Sequence, residues 1–341
     1  MAVTQLDVAR RAGVARKTVS NVIHEYKHVR PEVRARVLTA IAELGYQPNR
    51  AAQNLRTGRS NVIGLAVPEL DISYFGELTR HVVEATKRRG YTVLINQTLG
   101  DRERERAVLT GFGPQAIDGL IYSPIATTVE DITERAGQFP VVLLGEQVSY
   151  PDLDHVGIDN VAAARVATEH LLALGRRRVG FVGASQSEHA HMADLRLDGF
   201  RAALRAAGLP VHRSLVQRVS GYHRRDGAEA MSRMLAGATV PDAVFCANDL
   251  LAQGALHALR AAGLRVPQDV AVVGFDDIDE ASYGNPTLTT IAPDKVRIAE
   301  AAVERLMRLI AGDEDGWEHD TVIDFRLVPR ESTVGAGPVA S

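Results

Sequence analysis

A chain of 341 residues with 45% hydrophobic and 24% charged side chains has globular make-up and is too long for one ordinary core, so two or three domains are expected. Its single cysteine, Cys246, excludes an intrachain disulfide framework. With no apolar run of signal-peptide or membrane-span length, the expectation is a cytoplasmic protein with no membrane partner. The net charge of −3 conceals a division, because residues 1–60 carry eleven Lys/Arg against four Asp/Glu; a basic head on an acidic remainder points to a polyanion-binding unit.

The stretch "TQLDVARRAGVARKTVSNVIHE", starting at Thr4, predicts two short helices around a tight turn. Thr4 and Asp7 have capping-box spacing, with the acid where a helix N-terminus favours negative charge. Leu6, Ala9 and Ala12 recur at helical spacing, Gly13 supplies the turn, and Val14 can plug the angle. The second helix starts near Ala15 and turns Val19, Val22 and Ile23 inward. A third follows Pro31, a residue suited to a first helical turn, with Val33, Val37, Ile41 and Leu44 as its apolar stripe. Three such helices, the first two joined through a glycine, make a helix-turn-helix unit. The second helix then exposes Arg16, Lys17, Ser20 and Asn21, groups able to reach base edges or phosphates from the major groove.

Residues 49–58 ("NRAAQNLRTG") are polar and helix-prone, with Leu55 as the one large apolar side chain. One leucine cannot dock a helix onto a core, and a helix this short is marginal in water alone.

At this point the head resembles the lactose-repressor (LacI/GalR) family of bacterial transcription regulators, through its D-V-A-x-x-A-G-V, T-V-S-x-V, L-G-Y-x-P-N and A-x-x-L elements at family spacing. The resemblance implies a homodimer on palindromic double-stranded operator DNA, with contacts from Thr4, Arg16, Lys17, Thr18, Ser20, Asn21, Asn49, Ala52 and Leu55. Residues 47–60 would be a hinge helix that forms on the operator. Leu55 would then wedge between central base pairs in the minor groove, where a kink costs a few kcal/mol per step and gains contacts in return. Ala15 and Arg30 depart from the family by standing where a capping Ser or Thr is usual, each at a cost of about 1 kcal/mol.

From Val62 onward, apolar runs ("VIGLAV", "YTVLINQ", "DGLIYS", "VVLLG", "HVGID", "RVGFVGA", "DAVFCAN", "DVAVVGFDD") alternate with amphipathic segments. That pattern predicts parallel sheets covered by helices. Polar residues follow the strand ends at Asn96, Asp159, Asn248–Asp249 and Asp276–Asp277, where open α/β sheets bind ligands; each can equally be the N-cap of the next helix. The resemblance extends through "LRLDGFRAAL", "FCANDLLAQGAL", "LRVPQDVAVVGFDD" and "PTLTTIAPD". It implies an α/β body of two parallel-sheet lobes, periplasmic-binding-protein-like type I, behind an N-terminal all-α helix-turn-helix domain. The expected division is a head over 1–46, a hinge over 47–60 and a body over 61–341. Within the body the N-lobe takes about 61–160 plus 292–320 and the C-lobe about 161–291 plus 321–330. A small-molecule effector, a sugar by first expectation, would meet Arg196, Asn248 and Asp276, with Tyr74, Phe75 and Tyr222 as walls. Gly145 stands where sugar- and purine-responsive members often carry Asp; either Glu146 reaches the pocket from one position later or that contact is missing.

The remaining signals are weaker. "GFGPQA" follows a helical run and reads as a helix end, not a nucleotide loop. His189 and His191 lack further ligands at metal spacing, and Cys246 sits in an apolar strand as core packing. With no G-x-S-x-G elbow or phosphate loop, neither an enzyme nor a cofactor or metal site is expected. A solute-binding protein would share the body but not the head, whereas a DNA-binding regulator without a metabolite remains open. The tail "ESTVGAGPVAS" has no leucine heptad, so a dimer is the expected assembly.

Overall fold

The computed structural model describes residues 3–23, 26, 28–46, 59–111, 117–134, 139–145, 153–186, 191–313, 316 and 318–335. It divides into two compact units, Met1–Ser60 and Asn61–Ser341.

The first unit contains α1 (Gln5–Ala12), α2 (Arg16–Ile23) and α3 (Pro31–Leu44). Thr4 starts α1 with the expected reciprocal cap: its backbone N–H donates to Asp7 Oδ2 at 2.9 Å and Asp7 N–H donates back to Thr4 Oγ1 at 3.4 Å, while the Thr4 hydroxyl also donates to Asp7 Oδ2 at 2.6 Å. Gly13 ends α1 in the left-handed region (φ 65°), which only glycine enters cheaply. The core is Val8, Ala9, Ala12, Val19, Val22, Val37, Ala40 and Tyr46, with Val14 packed against it. Leu6, expected on the inner stripe, is instead 48% exposed; Val8 fills that face. Arg30 makes no side-chain cap at the start of α3, as its chemistry dictates.

The second unit holds two six-stranded sheets. In chain order its elements are β1 (Val62–Val67), α4 (Ser73–Lys87), β2 (Thr92–Gln97), α5 (Arg102–Gly111), β3 (Gly119–Tyr122), α6 (Val129–Thr133), β4 (Val141–Leu144) and β5 (Asp154–Gly157). There follow α7 (Asn160–Ala173), β6 (Val179–Ser185), α8 (His191–Ala206), β7 (Val216–Val219), α9 (Arg224–Leu235), β8 (Ala243–Cys246), α10 (Asp249–Ala261) and β9 (Ala271–Phe275). The last elements are β10 (Thr289–Pro293), α11 (Lys295–Ala311), β11 (Asp320–Val322), β12 (Phe325–Val328) and α12 (Glu331–Val334).

One sheet runs β11-β5-β4-β3-β1-β2 and the other β12-β10-β9-β8-β6-β7. Among the described residues every pairing is parallel except the antiparallel β10–β12. Side chains alternate between faces as the pleat requires: Ile121, Val142 and Leu144 enter one N-lobe core, while Leu120, Tyr122, Val141 and Leu143 enter the other. The C-lobe core gathers Phe181, Phe200 and Phe245, with ring centroids 5.5 Å apart.

Among the described residues the chain changes sheet three times, after β5, after β10 and after β11. The last two crossings lie a few residues beyond the 291/292 and 320/321 divisions expected from sequence. β10 through Pro293 still belongs to the C-lobe sheet, and β11 through Val322 pairs with β5 of the N-lobe. These short strands, and β7, carry no long apolar run. β2 is a sheet edge whose Leu94 and Ile95 are exposed.

Candidate functional site

In the head, α2 presents Arg16 and Lys17 to solvent, with Thr18, Ser20 and Asn21 half-buried beside them. Arg16 Nε donates to Gln5 Oε1 at 3.4 Å, which sets the first turns of α1 and α2 side by side. Thr4 is exposed at the start of α1; hydrogen bonds from its hydroxyl and backbone hold the Asp7 carboxyl below the usual range. Asn49, Ala52 and Leu55 lie outside the described residues, as does the 47–58 segment.

In the second unit, Arg196 is the centre of the candidate site. It projects from α8, and α8 packs tightly on α7 because Gly199, one turn on, has no side chain; a Cβ there would stand 2.3 Å from Val161 O. That approach lets Arg196 Nε donate to Asn160 Oδ1 at 2.9 Å. Its Nη1 donates to the Ala247 carbonyl and lies 3.8 Å from Asp276 Oδ1. The guanidinium stacks on Phe275, with Cζ 3.4 Å from the ring centroid, a cation–π geometry. Arg196 is 3% exposed, so a full positive charge is held inside the fold by a carboxylate, an amide, a carbonyl and a ring.

Asp276 directly follows β9 with φ 109°, and Asp277 comes next at φ 48°; a non-glycine residue held there stores strain of about 1–3 kcal/mol. Three contacts impose it. Asp276 N–H donates to Ile291 O at 2.8 Å, Lys295 Nζ donates to both Asp276 O and Asp277 O at 2.7 Å, and Arg330 Nη2 donates to Asp277 Oδ1 at 2.7 Å. Beneath them Asp249 is fully buried, and burial followed by the nearby Asp276 charge pushes its carboxyl well up. Thr290 Oγ1 donates to its Oδ1 at 2.7 Å and Ile278 N–H to its Oδ2 at 3.0 Å.

The two lobes meet across this site. Tyr74 and Phe75, in the first turn of α4, contact each other edge-on at 5.3 Å and pack against the cores of both lobes. Tyr74 and Arg196 line one narrow cleft with Gly145, Gly157, Pro293 and Ile298. Glu77 receives Lys295 Nζ at 2.7 Å and Asp279 N–H at 2.9 Å; Ser73 Oγ donates to Glu280 Oε1 at 2.8 Å.

Asn248 caps α10, taking Leu251 N–H at 2.8 Å, and its Nδ2 donates to Tyr222 O at 3.0 Å. Both amide atoms therefore hold local structure, which ties the Tyr222 segment to the β8 end beside Ala247. Asp159 is likewise an N-cap, accepting Ala162 N–H at 2.8 Å. Glu146, His189 and most of "GFGPQA" fall outside the described residues. Cys246 is buried in β8, and burial pushes its thiol far up.

Sequence reading missed Asn160, Phe275, Glu77 and Lys295. Asn160 stands next to Asp159, already marked as a strand-end polar residue. Glu77 and Lys295 sit on amphipathic helices, where charged residues read as solvent-facing.

The family model described as "Bacterial regulatory proteins, lacI family" matches residues 4–49, which holds all three head helices. The chain is 32% identical over 332 residues to "HTH-type transcriptional repressor PurR" of Haemophilus influenzae (strain PittEE), covering 96% of this chain and 97% of the relative. The chain belongs to the lacI family of bacterial regulatory proteins. A second family model, "Periplasmic binding protein-like domain", matches residues 168–333, from within α7 to α12. Another relative, the ribose operon repressor of Escherichia coli (strain K12), is 34% identical over 310 residues, 90% of this chain and 93% of that one. Among solved structures, the lac repressor dimer bound to operator and the anti-inducer ONPF superposes with a TM-score of 0.88 at 28% identity, covering 98% and 99% of the two chains. These relatives are transcription repressors. Among the described residues no helix is long and apolar enough to cross a membrane.

Proposed function

We propose that this chain represses transcription in the cytoplasm by binding a two-fold symmetric operator as a homodimer, without catalysing a reaction, under control of a small metabolite held between its lobes. The observation that carries the reading is α2 of the family-matched head. Its outer face offers Arg16, Lys17, Thr18, Ser20 and Asn21 while Val19 and Val22 anchor it from behind, the arrangement of a recognition helix in a major groove. Thr4 at the N-terminus of α1 adds a backbone contact, and Asn49, Ala52 and Leu55 act from the hinge over 47–60 in the minor groove.

Dimerisation has its own support. Among the described residues β2 pairs only with β1, and exposed Leu70, Leu94, Ile95, Leu99 and Ile125 gather near that edge. Leu70 N–H reaches Gln97 at 3.1 Å, and Gly100 abuts Ile125. An apolar strip of this kind on a sheet edge calls for a partner surface.

The effector is a polyhydroxylated metabolite, a sugar first. Arg196 and Asp276 supply its polar recognition and Tyr74, Phe75 and Tyr222 its apolar walls, with Asn248 fixing the Tyr222 segment and Glu146 as a further candidate contact. The relatives support this choice: the ribose operon repressor by its name, and a solved "transcriptional regulator CelR-cellobiose complex", 31% identical with a TM-score of 0.72.

The test is selection of binding sites from random duplex DNA by the full chain, followed by gel shift with the winning site and its half-site. A palindrome bound by two chains, weakened by Lys17→Ala, is the expected result; no symmetric site overturns the reading. The metabolite part is tested separately by thermal shift, where a ligand at ~100 times its Kd adds about 2.7 kcal/mol. A blank across sugar and nucleoside panels removes the metabolite and leaves the DNA reading standing.

A further inference from the structure

We propose that Glu69, Asp71 and His223 form a divalent-cation site of the zinc class that ties the N-lobe to the C-lobe at the edge of the cleft. Glu69 and Asp71 lie between β1 and α4, on the N-lobe side and just ahead of Tyr74. His223 immediately precedes α9 on the C-lobe side. One ligand atom from each lies within 4.8 Å of the other two, and Glu69 Oε2 is already 2.8 Å from His223 Nε2.

The charge balance sets this cluster apart from the neighbouring acidic groups. Glu77 is met by Lys295 at 2.7 Å, Glu280 by Arg224 at 3.2 Å and Asp277 by Arg330 at 2.7 Å. Glu69 and Asp71, by contrast, are faced among the described residues by one imidazole, a group that is neutral when it binds metal. Arg224, adjacent in sequence, is turned to Gln253 and Glu280. Asp226 Oδ2 accepts the backbone N–H of His223 at 3.1 Å, adding a further negative charge at the start of α9.

One imidazole nitrogen and two carboxylate oxygens make a three-donor set that leaves a position open to water. Ligand bonds of about 2.0–2.2 Å place tetrahedral donors about 3.3 Å apart. The Glu69–His223 pair therefore opens by roughly half an ångström while Asp71 closes in, which exposed or half-buried side chains do by rotamer change. The imidazole favours zinc over magnesium or calcium, which prefer all-oxygen sets. Because the donors come from both lobes, the cation binds the apposed arrangement and by linkage favours it.

The experiment is calorimetric titration of the full, untagged, chelator-stripped chain with zinc chloride, with magnesium chloride as a second probe. Expected are one zinc per chain, no magnesium binding at the same concentrations, and affinity at least tenfold weaker in both Asp71→Asn and His223→Gln. Asp71→Asn is the cleaner variant, because it leaves the Glu69–His223 contact in place. Its melting temperature in chelator should equal that of the parent, while the zinc-induced rise disappears. Absence of saturable one-to-one binding overturns the proposal, and so does unchanged zinc affinity in either variant, since loss must occur from both sides of the cleft.

Discussion

Replacing Arg196 is expected to unfold the site before it informs on any ligand. Arg196 and Asp276 are both buried and their charged atoms lie 3.8 Å apart. At an effective dielectric of 20 that separation corresponds to about 4 kcal/mol of attraction. Breaking one side of a buried pair costs about 3–5 kcal/mol, because the other charge stays behind uncompensated. Arg196→Met keeps the length of the side chain but also strips donors from Asn160 Oδ1 and Ala247 O, each loss worth about 1–3 kcal/mol. The expected destabilisation is therefore at least about 3 kcal/mol. Asp276→Asn is expected to cost less. Asn tolerates positive φ, and the Lys295 contact goes to the backbone carbonyl, which survives. The double variant should lose at least about 2 kcal/mol less than the sum of the singles. Urea unfolding followed by far-ultraviolet circular dichroism, read from midpoints with unchanged slopes, gives all four corners of the cycle. An Arg196→Met midpoint within ~0.5 kcal/mol of the parent, or an additive cycle, would refute the assignment of a structural charge pair. A corollary concerns ligand assays: loss of effector response in Arg196→Ala is interpretable only after the folded fraction is measured.

Three further outcomes are expected. Asp249→Asn should keep the hydrogen bonds of the protonated acid: the Thr290 hydroxyl, which donates to the ionised carboxylate, turns to the Ile291 carbonyl 3.2 Å away and accepts from Nδ2, while the amide oxygen accepts Ile278 N–H. Because the folded carboxyl is raised, the stability it contributes is full below its ordinary pKa near 4 and is lost as pH rises through the folded value. The variant's melting temperature should thus gain on the parent with rising pH, and a constant gap across that range would count against a raised Asp249. Gly254→Ala places a Cβ 1.9 Å from Arg224 O. It should cost about 1–3 kcal/mol by forcing α9 from α10, despite the ~1 kcal/mol gain in helix propensity, and a higher urea midpoint would contradict that packing. Leu55→Ala should weaken binding to the selected operator and reduce its bending in a phasing gel, leaving the salt slope of non-specific binding unchanged, since no phosphate contact is lost. Destabilised free protein with intact bending would instead make Leu55 a core residue.

Local chemistry decided much of this molecule in advance. The Thr4–Asp7 cap and the Gly13 turn act within a few residues, so α1 and α2 follow from the sequence alone. The apolar runs of β1, β3, β4, β6, β8 and β9 are likewise self-declaring, because a strand buried on both faces must be apolar throughout. The short strands β10 to β12 are another matter. Each is defined by its neighbour in the sheet, and the exact points where the chain changes lobe depend on pairings between β11 and β5 or β12 and β10. Leu6 shows the limit within the head, since helical spacing admits both Leu6 and Val8 near the inner face and only three-helix packing chooses Val8.

The candidate site divides the same way. That polar residues would stand at strand ends followed from sequence, as did the nomination of Arg196 and Asp276 through family motifs. Sequence could not decide what each polar group spends its hydrogen bonds on. Asn248 caps α10 and holds Tyr222, Asn160 receives Arg196, and Lys295 clamps the strained Asp276–Asp277 carbonyls while meeting Glu77 from the other lobe. These bonds join residues distant in the chain, and a charged side chain carries no local mark of whether water or a buried partner will satisfy it. Helix caps, turns and strand apolarity are short-range free energies and can be read along the sequence. Charge compensation across a cleft is long-range, and only the folded arrangement of both lobes determines it.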